Sequence, residues 1–314
     1  MSRFSLIYLS SFFLIISILS FVNILYSYYF NLYLNIDTYV YTLFISLALS
    51  ALPIIKKKDD KKVSIYEKIL IIIFGYLIIP LVISIPYFLS IYNISFLHCY
   101  FESISGFTST GFTIFSNIKH LDQSLILWRS TSQWIGGLYF LFSIILLIDI
   151  FDKNIKNNLT DFLSFDSSEI LKQSFKIIIL YSLLTLVIFF ILKIINIRNF
   201  DAFNLSLTLI SSGGFLPVNN LDKLINSEFK QIVLSFLMLI SFFSLFLSYN
   251  LLFLKKRGLS VFTEDFYLLL YFLFLNAIFF IFFDNNDYST LFFSLARSDS
   301  SLSFNISSTT RIHI

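Results

Sequence analysis

The stretches of this chain with chemistry to offer are Ser105-Gly106-Phe107-Thr108-Ser109-Thr110-Gly111-Phe112 and Ile210-Ser211-Ser212-Gly213-Gly214-Phe215. Each places small residues and hydroxyls inside an otherwise apolar sequence. Glycine lets the backbone take φ > 0, which aims successive carbonyl oxygens to one side. A row of such carbonyls can replace the hydration shell of a cation. Hydroxyls such as Thr108, Ser109 and Thr110 add oxygens or brace the loop. No acid falls between Ile104 and Asn117. The donor set therefore suits a weakly hydrated monovalent ion, because a divalent ion would want Asp or Glu oxygens. The chain has 8 glycines: Gly106, Gly111, Gly213 and Gly214 lie in these stretches, and Gly136 and Gly137 lie in the apolar run after the first. Small residues in such a run permit close helix approach.

Other chemistries lack their residues. One cysteine, Cys99, excludes an intrachain disulfide and a cysteine metal cluster. His98, Cys99 and His120 have no third ligand at workable spacing. Without a nucleophile–base set, a P-loop or a dinucleotide glycine motif, neither an enzyme nor a cofactor is expected. The net charge of +3 gives no sign of nucleic acid as a partner. Glu102 is expected near an outer mouth, raising the local cation concentration or simply solvated. Arg129 either ties the first loop by a hydrogen bond or snorkels to the interface.

The elements that must position these stretches are membrane spans. The chain is 57% hydrophobic and 13% charged, more apolar than a soluble domain of 314 residues can hide. Residues 4–30 and 232–254 carry no charge at all. Runs of this length cross a lipid bilayer as helices. Spans are expected at about 4–30, 38–55, 66–90, 124–150, 173–196, 229–254 and 261–283. The first is too long and too tyrosine-rich at its end (Tyr26, Tyr28, Tyr29, Tyr33) for a cleaved signal, and it reads as a retained span with an interfacial belt. The 41 phenylalanines are mainly lipid-facing bulk.

Two apolar pieces too short to span, 95–107 and 201–210, run into the glycine stretches, and a third starts at 288. Non-helical backbone at membrane depth survives only where it is buried in protein or lines a water-filled cavity. A short half-helix followed by a glycine loop meets that condition as a re-entrant pore loop. A unit of span, half-helix, loop and span therefore recurs, as internal repeats do in transporters and channels. The basic segments Lys56–Lys62, Lys153/Lys156 and Lys255–Arg257 follow spans two, four and six. They must share one side, and the positive-inside rule makes it the cytoplasm, with the N-terminus there too.

The residues Phe101-Glu102-Ser103-Ile104-Ser105-Gly106-Phe107-Thr108-Ser109-Thr110-Gly111-Phe112 resemble the first pore-loop motif of the Trk/Ktr/HKT superfamily of potassium transporters. Trp128-Arg129-Ser130-Thr131-Ser132-Gln133-Trp134-Ile135-Gly136-Gly137 is similar to the start of the helix that follows it there. Phe200-Asp201-Ala202-Phe203 with Ser211-Ser212-Gly213-Gly214-Phe215 resembles the second pore-loop region. The leading pair of spans looks like that of the bacterial Trk membrane subunit rather than its Ktr relative.

The resemblance implies an all-α polytopic membrane protein of helix–pore loop–helix units, K+-channel-like, preceded by an extra two-helix pair. The pair would be 1–62, the first unit 63–158, the second 159–260 and an incomplete third 261–314. It implies K+ passing inward through a selectivity filter of backbone carbonyls, as part of a Trk system in the bacterial inner membrane. The filter would take Thr108, Ser109, Thr110, Gly111 and Phe112 from the first unit and Ile210, Ser211, Ser212, Gly213 and Gly214 from the second. A homodimer and a cytoplasmic nucleotide-binding regulatory subunit are implied as partners, beside K+ and the lipid bilayer. The sequence departs from the family after Leu295. Ala296 to Phe304 holds no glycine, and Arg297 and Asp299 are expected at filter depth, where they would oppose cation entry. The family's third closing helix, its gating loop and its fourth unit have no counterpart here. The chain is thus expected to be a C-terminally truncated member, or else a non-conducting remnant or interaction subunit.

Overall fold

The computed structural model describes residues 3–55, 65–151, 170–219, 221, 224–225, 227–242, 263–282 and 288–299. Among the described residues the structure is helical, with no strand. It is a multi-span membrane protein that divides into two compact units, Met1–Phe165 and Asp166–Ile314. The basic segments used for orientation lie outside the described residues.

The first unit opens with α1, Arg3–Tyr29. Its length and apolar composition suit a membrane span. One face buries Leu9, Phe12, Phe13 and Ile16 together with the small polar residues Ser17, Ser20, Asn23 and Ser27. Leu14, Ile18, Phe21 and Leu25 are exposed on the other face, as a lipid-facing surface requires. The helix α2, Ile36–Ser50, returns against α1 and buries Thr38, Thr42 and Ser46 at every fourth position. Small hydroxyl residues let two membrane helices approach closely. The expected span 38–55 is therefore shorter: α2 stops at Ser50, and a separate turn, α3, covers Leu52–Ile55 around Pro53.

Next come α4, Ile65–Ile83, and the short α5, Ile85–Phe88. Pro80 is carried inside α4, but the helix breaks at Ser84 just before Pro86. Proline removes an N–H donor, and at this break Trp128 Nε1 donates to the Ile83 carbonyl at 3.0 Å. The short helix α6, Phe96–Phe107, packs on α4 and on the long α7, Gln123–Phe151. Tyr139 of α7 is the hub. Its ring meets those of Phe12, Tyr76 and Phe107, and its hydroxyl donates to the carbonyls of Ile71 and Ile72 at 3.2 and 3.0 Å. Gly75 makes room for it: a Cβ there would sit 1.8 Å from the Tyr139 hydroxyl oxygen.

The second unit repeats the plan. α8, Ile170–Ile194, packs on the short α9, Asn199–Ile210, which packs on α10, Glu228–Phe242. Then come α11, Thr263–Phe282, and α12, Tyr288–Asp299. Leu239, Phe272, Leu295 and Ala296 bind α10, α11 and α12 into one apolar cluster. The short helices α6, α9 and α12 have the same length, 12 residues each. Arg297 and Asp299, expected at filter depth, lie inside α12 instead. The stretch matching the first two loops by register, 300–304, lies outside the described residues.

Candidate ion-coordinating loops

Both short helices end in the same way. After α6, Ser109 takes φ 56°, Ser109 N donates to Gly106 O at 3.0 Å, and Thr110 N donates to Ser105 O at 2.9 Å. After α9, Ser212 takes φ 53°, Ser212 N donates to Leu209 O at 3.2 Å, and Gly213 N donates to Thr208 O at 2.9 Å. This is a left-handed helix stop that satisfies carbonyls at the helix end. A serine holds the left-handed position in both, where glycine is the usual choice. Of the glycines expected to supply positive φ, only Gly111 does so, at 78°. Gly106 lies inside α6.

The hydroxyls act as braces. Ser105 Oγ donates to the Phe112 carbonyl at 2.5 Å, and Thr208 Oγ1 donates to the Phe215 carbonyl at 3.0 Å. In each unit a hydroxyl on the last turn of the short helix pulls back the loop seven residues ahead. Thr108 Oγ1 and Ser211 Oγ return to the carbonyls of Ile104 and Leu207. Among the described residues, no hydrogen bond reaches the carbonyls of Thr108, Ser109 and Gly111, or those of Ser211, Ser212 and Gly213. Unspent carbonyl oxygens are what a cation can use. Phe112 and Ile210 differ from their neighbours: the first has its carbonyl on Ser105, and the second is the last residue of α9.

Glu102 is not solvated at a mouth. It is 0% exposed, and its Oε1 accepts from Arg129 Nε at 2.8 Å, with Arg129 1% exposed. Thr113 Oγ1 donates to the same carboxylate at 2.9 Å, Ile114 N donates to Oε2 at 2.9 Å, and Arg129 Nη2 donates to Thr113 Oγ1 at 2.9 Å. The guanidinium also lies over the Phe115 ring, 5.4 Å from its centroid. A buried carboxylate persists as a charge only when paired and hydrogen-bonded, and here every bond reaches the outgoing limb of the first loop or the helix behind it. Arg129 thus ties the loop rather than snorkelling.

Two more features fix this site. Gly136 lets α7 pass against the end of α6, since a Cβ there would sit 1.9 Å from the Phe107 carbonyl oxygen. At the other end of the loop, Asp122 directly precedes α7 and accepts from Ser124 Oγ at 2.8 Å and from Asn35 Nδ2 at 3.4 Å. Asp122 N donates to the Tyr92 hydroxyl at 2.7 Å, Asn23 Nδ2 to Ser124 O at 3.1 Å, and burial pushes the Tyr92 phenol above its ordinary pKa. The leading pair of helices is thereby bonded to the start of α7. Among the described residues, no group of three His, Cys, Asp or Glu gathers to hold a metal ion, and His98 meets Ser95 at 2.8 Å.

Sequence reasoning missed Ser105, Thr208 and Thr113 as working residues. A signal was present for the first two: Ser105 stands seven before Phe112 as Thr208 stands seven before Phe215. Nothing local marked Thr113, whose partners are far away in the chain.

No family model matches this chain. It is 27% identical over 211 residues to an uncharacterized cation transporter of Methanocaldococcus jannaschii, covering 62% of this chain and 43% of that protein. It is 25% identical over 236 residues to the Trk system potassium uptake protein TrkH of Escherichia coli, covering 71% of this chain and 48% of that one. The chain thus spans less than half the length of either relative. The crystal structure of the potassium transporter TrkH from Vibrio parahaemolyticus superposes with a TM-score of 0.73 at 19% identity, over 95% of this chain and 64% of that one.

Proposed function

We propose that this chain, which shares its fold with TrkH and resembles the Trk family in sequence, is the membrane subunit of a Trk-type potassium uptake system. K+ would pass inward, held by loop carbonyls. The observation that carries this reading is the shared brace. Two loops with the same helix stop and the same hydroxyl tie leave the carbonyls of Thr108, Ser109 and Gly111, and of Ser211, Ser212 and Gly213, without hydrogen bonds among the described residues. An ordinary turn has no need of such an arrangement twice. Within the proposed filter, Thr110 and Gly214 complete the two runs. Phe112 and Ile210 bound them, because one carbonyl is braced and the other residue closes a helix. The domain limits proposed from the sequence follow the same plan, with the leading pair at 1–62, units at 63–158 and 159–260, and a third begun at 261.

Homodimer formation, a cytoplasmic nucleotide-binding partner, a bacterial inner-membrane location and a cytoplasmic N-terminus are part of the same proposal. They rest on the resemblance to the Trk family, and the apolar composition supports only the membrane setting. The test is growth of a strain lacking its own potassium uptake systems. Expression of the chain should restore growth at low K+, and Gly111→Asp should abolish it while leaving the protein in the membrane. Absence of uptake by a chain that is inserted and folded would sink conduction and favour the non-conducting interaction subunit.

A further inference from the structure

The two units can be laid on each other by their own helix ends. Phe96 and Asn199 begin the short helices, and Gln123 and Glu228 begin the helices that follow the loops. Counting from these starts, Glu102 corresponds to Leu205, Thr113 to Leu216 and Arg129 to Leu234. All three leucines are buried, at 0%, 4% and 1% exposure. The first unit therefore holds its loop with a carboxylate, a hydroxyl and a guanidinium at the positions the second unit fills with apolar side chains. Replacing a buried ion pair as a set by packed hydrophobic residues is often neutral, whereas removing one partner leaves an uncompensated charge.

We infer that Glu102, Thr113 and Arg129 are positioning residues that fix the outgoing limb of the first loop, and that they act as a set interchangeable with a leucine triad but not divisible. The bonds on Thr113 and on the Ile114 amide are the means of fixing. Arg129 orients both the carboxylate and the hydroxyl. The effect on ion passage rests on the transport reading above; the mechanical claim does not.

Cys99 supplies the readout. It is the single cysteine of the chain, fully buried, one turn before Glu102 on the same short helix. Its rate of labelling by N-ethylmaleimide in membranes reports opening of the helix that the cluster holds. Glu102→Leu alone and Arg129→Leu alone should each raise that rate by about 10-fold or more, since local opening exposes buried groups. The triple change Glu102→Leu, Thr113→Leu, Arg129→Leu should stay within about 3-fold of the parent, because packed leucines can stand in for the buried pair. Should the single charge deletions fail to insert, Thr113→Val against Thr113→Ser decides: valine should raise the rate, and serine, which keeps the hydroxyl, should not. Single variants that label like the parent, or a triple variant as reactive as the singles, would overturn the inference. In uptake, Thr113→Val should lower the K+ over Na+ ratio and Thr113→Ser should restore it. A parent that shows the labelling pattern but transports nothing removes the transport reading and leaves the cluster standing.

Discussion

Ser109 and Ser212 are the residues where local preference and structure disagree. A serine at φ near 55° is held against the steric cost of a Cβ in the left-handed region, about 1 kcal/mol. Strain of that kind persists where surrounding structure over-determines it, and here the surroundings are the paired braces on Phe112 and Phe215. Ser109→Gly should therefore stabilise the folded chain by about 1 kcal/mol, seen as a rise in thermal midpoint in detergent. Ser109→Val should lower that midpoint. Gly111, Gly213 and Gly214 were legible as loop residues, but Gly106 lies inside α6, and the glycine conformations were not legible. Positive φ is fixed by which amide reaches which helix carbonyl, and a single sequence does not display that. Glu102 was misread for a related reason. An acid on an apolar half-helix looks exposed until its partner, 27 positions away, is brought beside it. Glu102→Gln should destabilise by about 3–5 kcal/mol, the usual consequence of breaking one side of a buried pair, and urea or heat unfolding checks it.

The elements were easier to foresee than their bonds. The short pieces expected at 95–107 and 201–210 are helices at Phe96–Phe107 and Asn199–Ile210. Their length, too short to cross a bilayer and bounded by polar residues, is written in the sequence. The break at Ser84 was not foreseen, since Pro80 and Pro86 look alike there, yet only the second ends the helix. The difference lies in tertiary support: Trp128 meets the Ile83 carbonyl just at the second. Crossings are likewise invisible locally. Gly136 is one of many small residues in the run, and only the packed structure shows α7 touching the Phe107 backbone through it. Gly136→Ala should force α6 and α7 apart, lower the thermal midpoint and speed Cys99 labelling. A variant that behaves like the parent in both measurements would mean the crossing relaxes freely.

At the scale of the molecule, the first unit combines the leading helix pair with the first helix–loop–helix, and the second unit repeats the latter. The sequence revealed this repeat because its period is marked by glycine loops after short apolar pieces. The bonding of the pair to Asp122 and Ser124 was hidden, being made by Asn23, Asn35 and Tyr39 from distant positions. Orientation has its own test. A phosphatase reporter fused at residue 60 should be inactive, and one fused at Asn93 should be active. The opposite pattern would reverse the assigned sides.

Each short helix runs toward its loop and stops where the loop begins. The aligned peptide dipoles of such a helix place roughly half a negative charge at that end. Attraction for the K+ proposed at Thr108 or Ser211 would then come from peptide groups, which carry no titratable proton, while the nearby carboxylate of Glu102 is bonded to Arg129. The K+ binding proposed at these loops, followed by titration calorimetry, should stay level between about pH 5 and 8, where a ring of exposed carboxylates with raised pKa values would weaken as it took up protons.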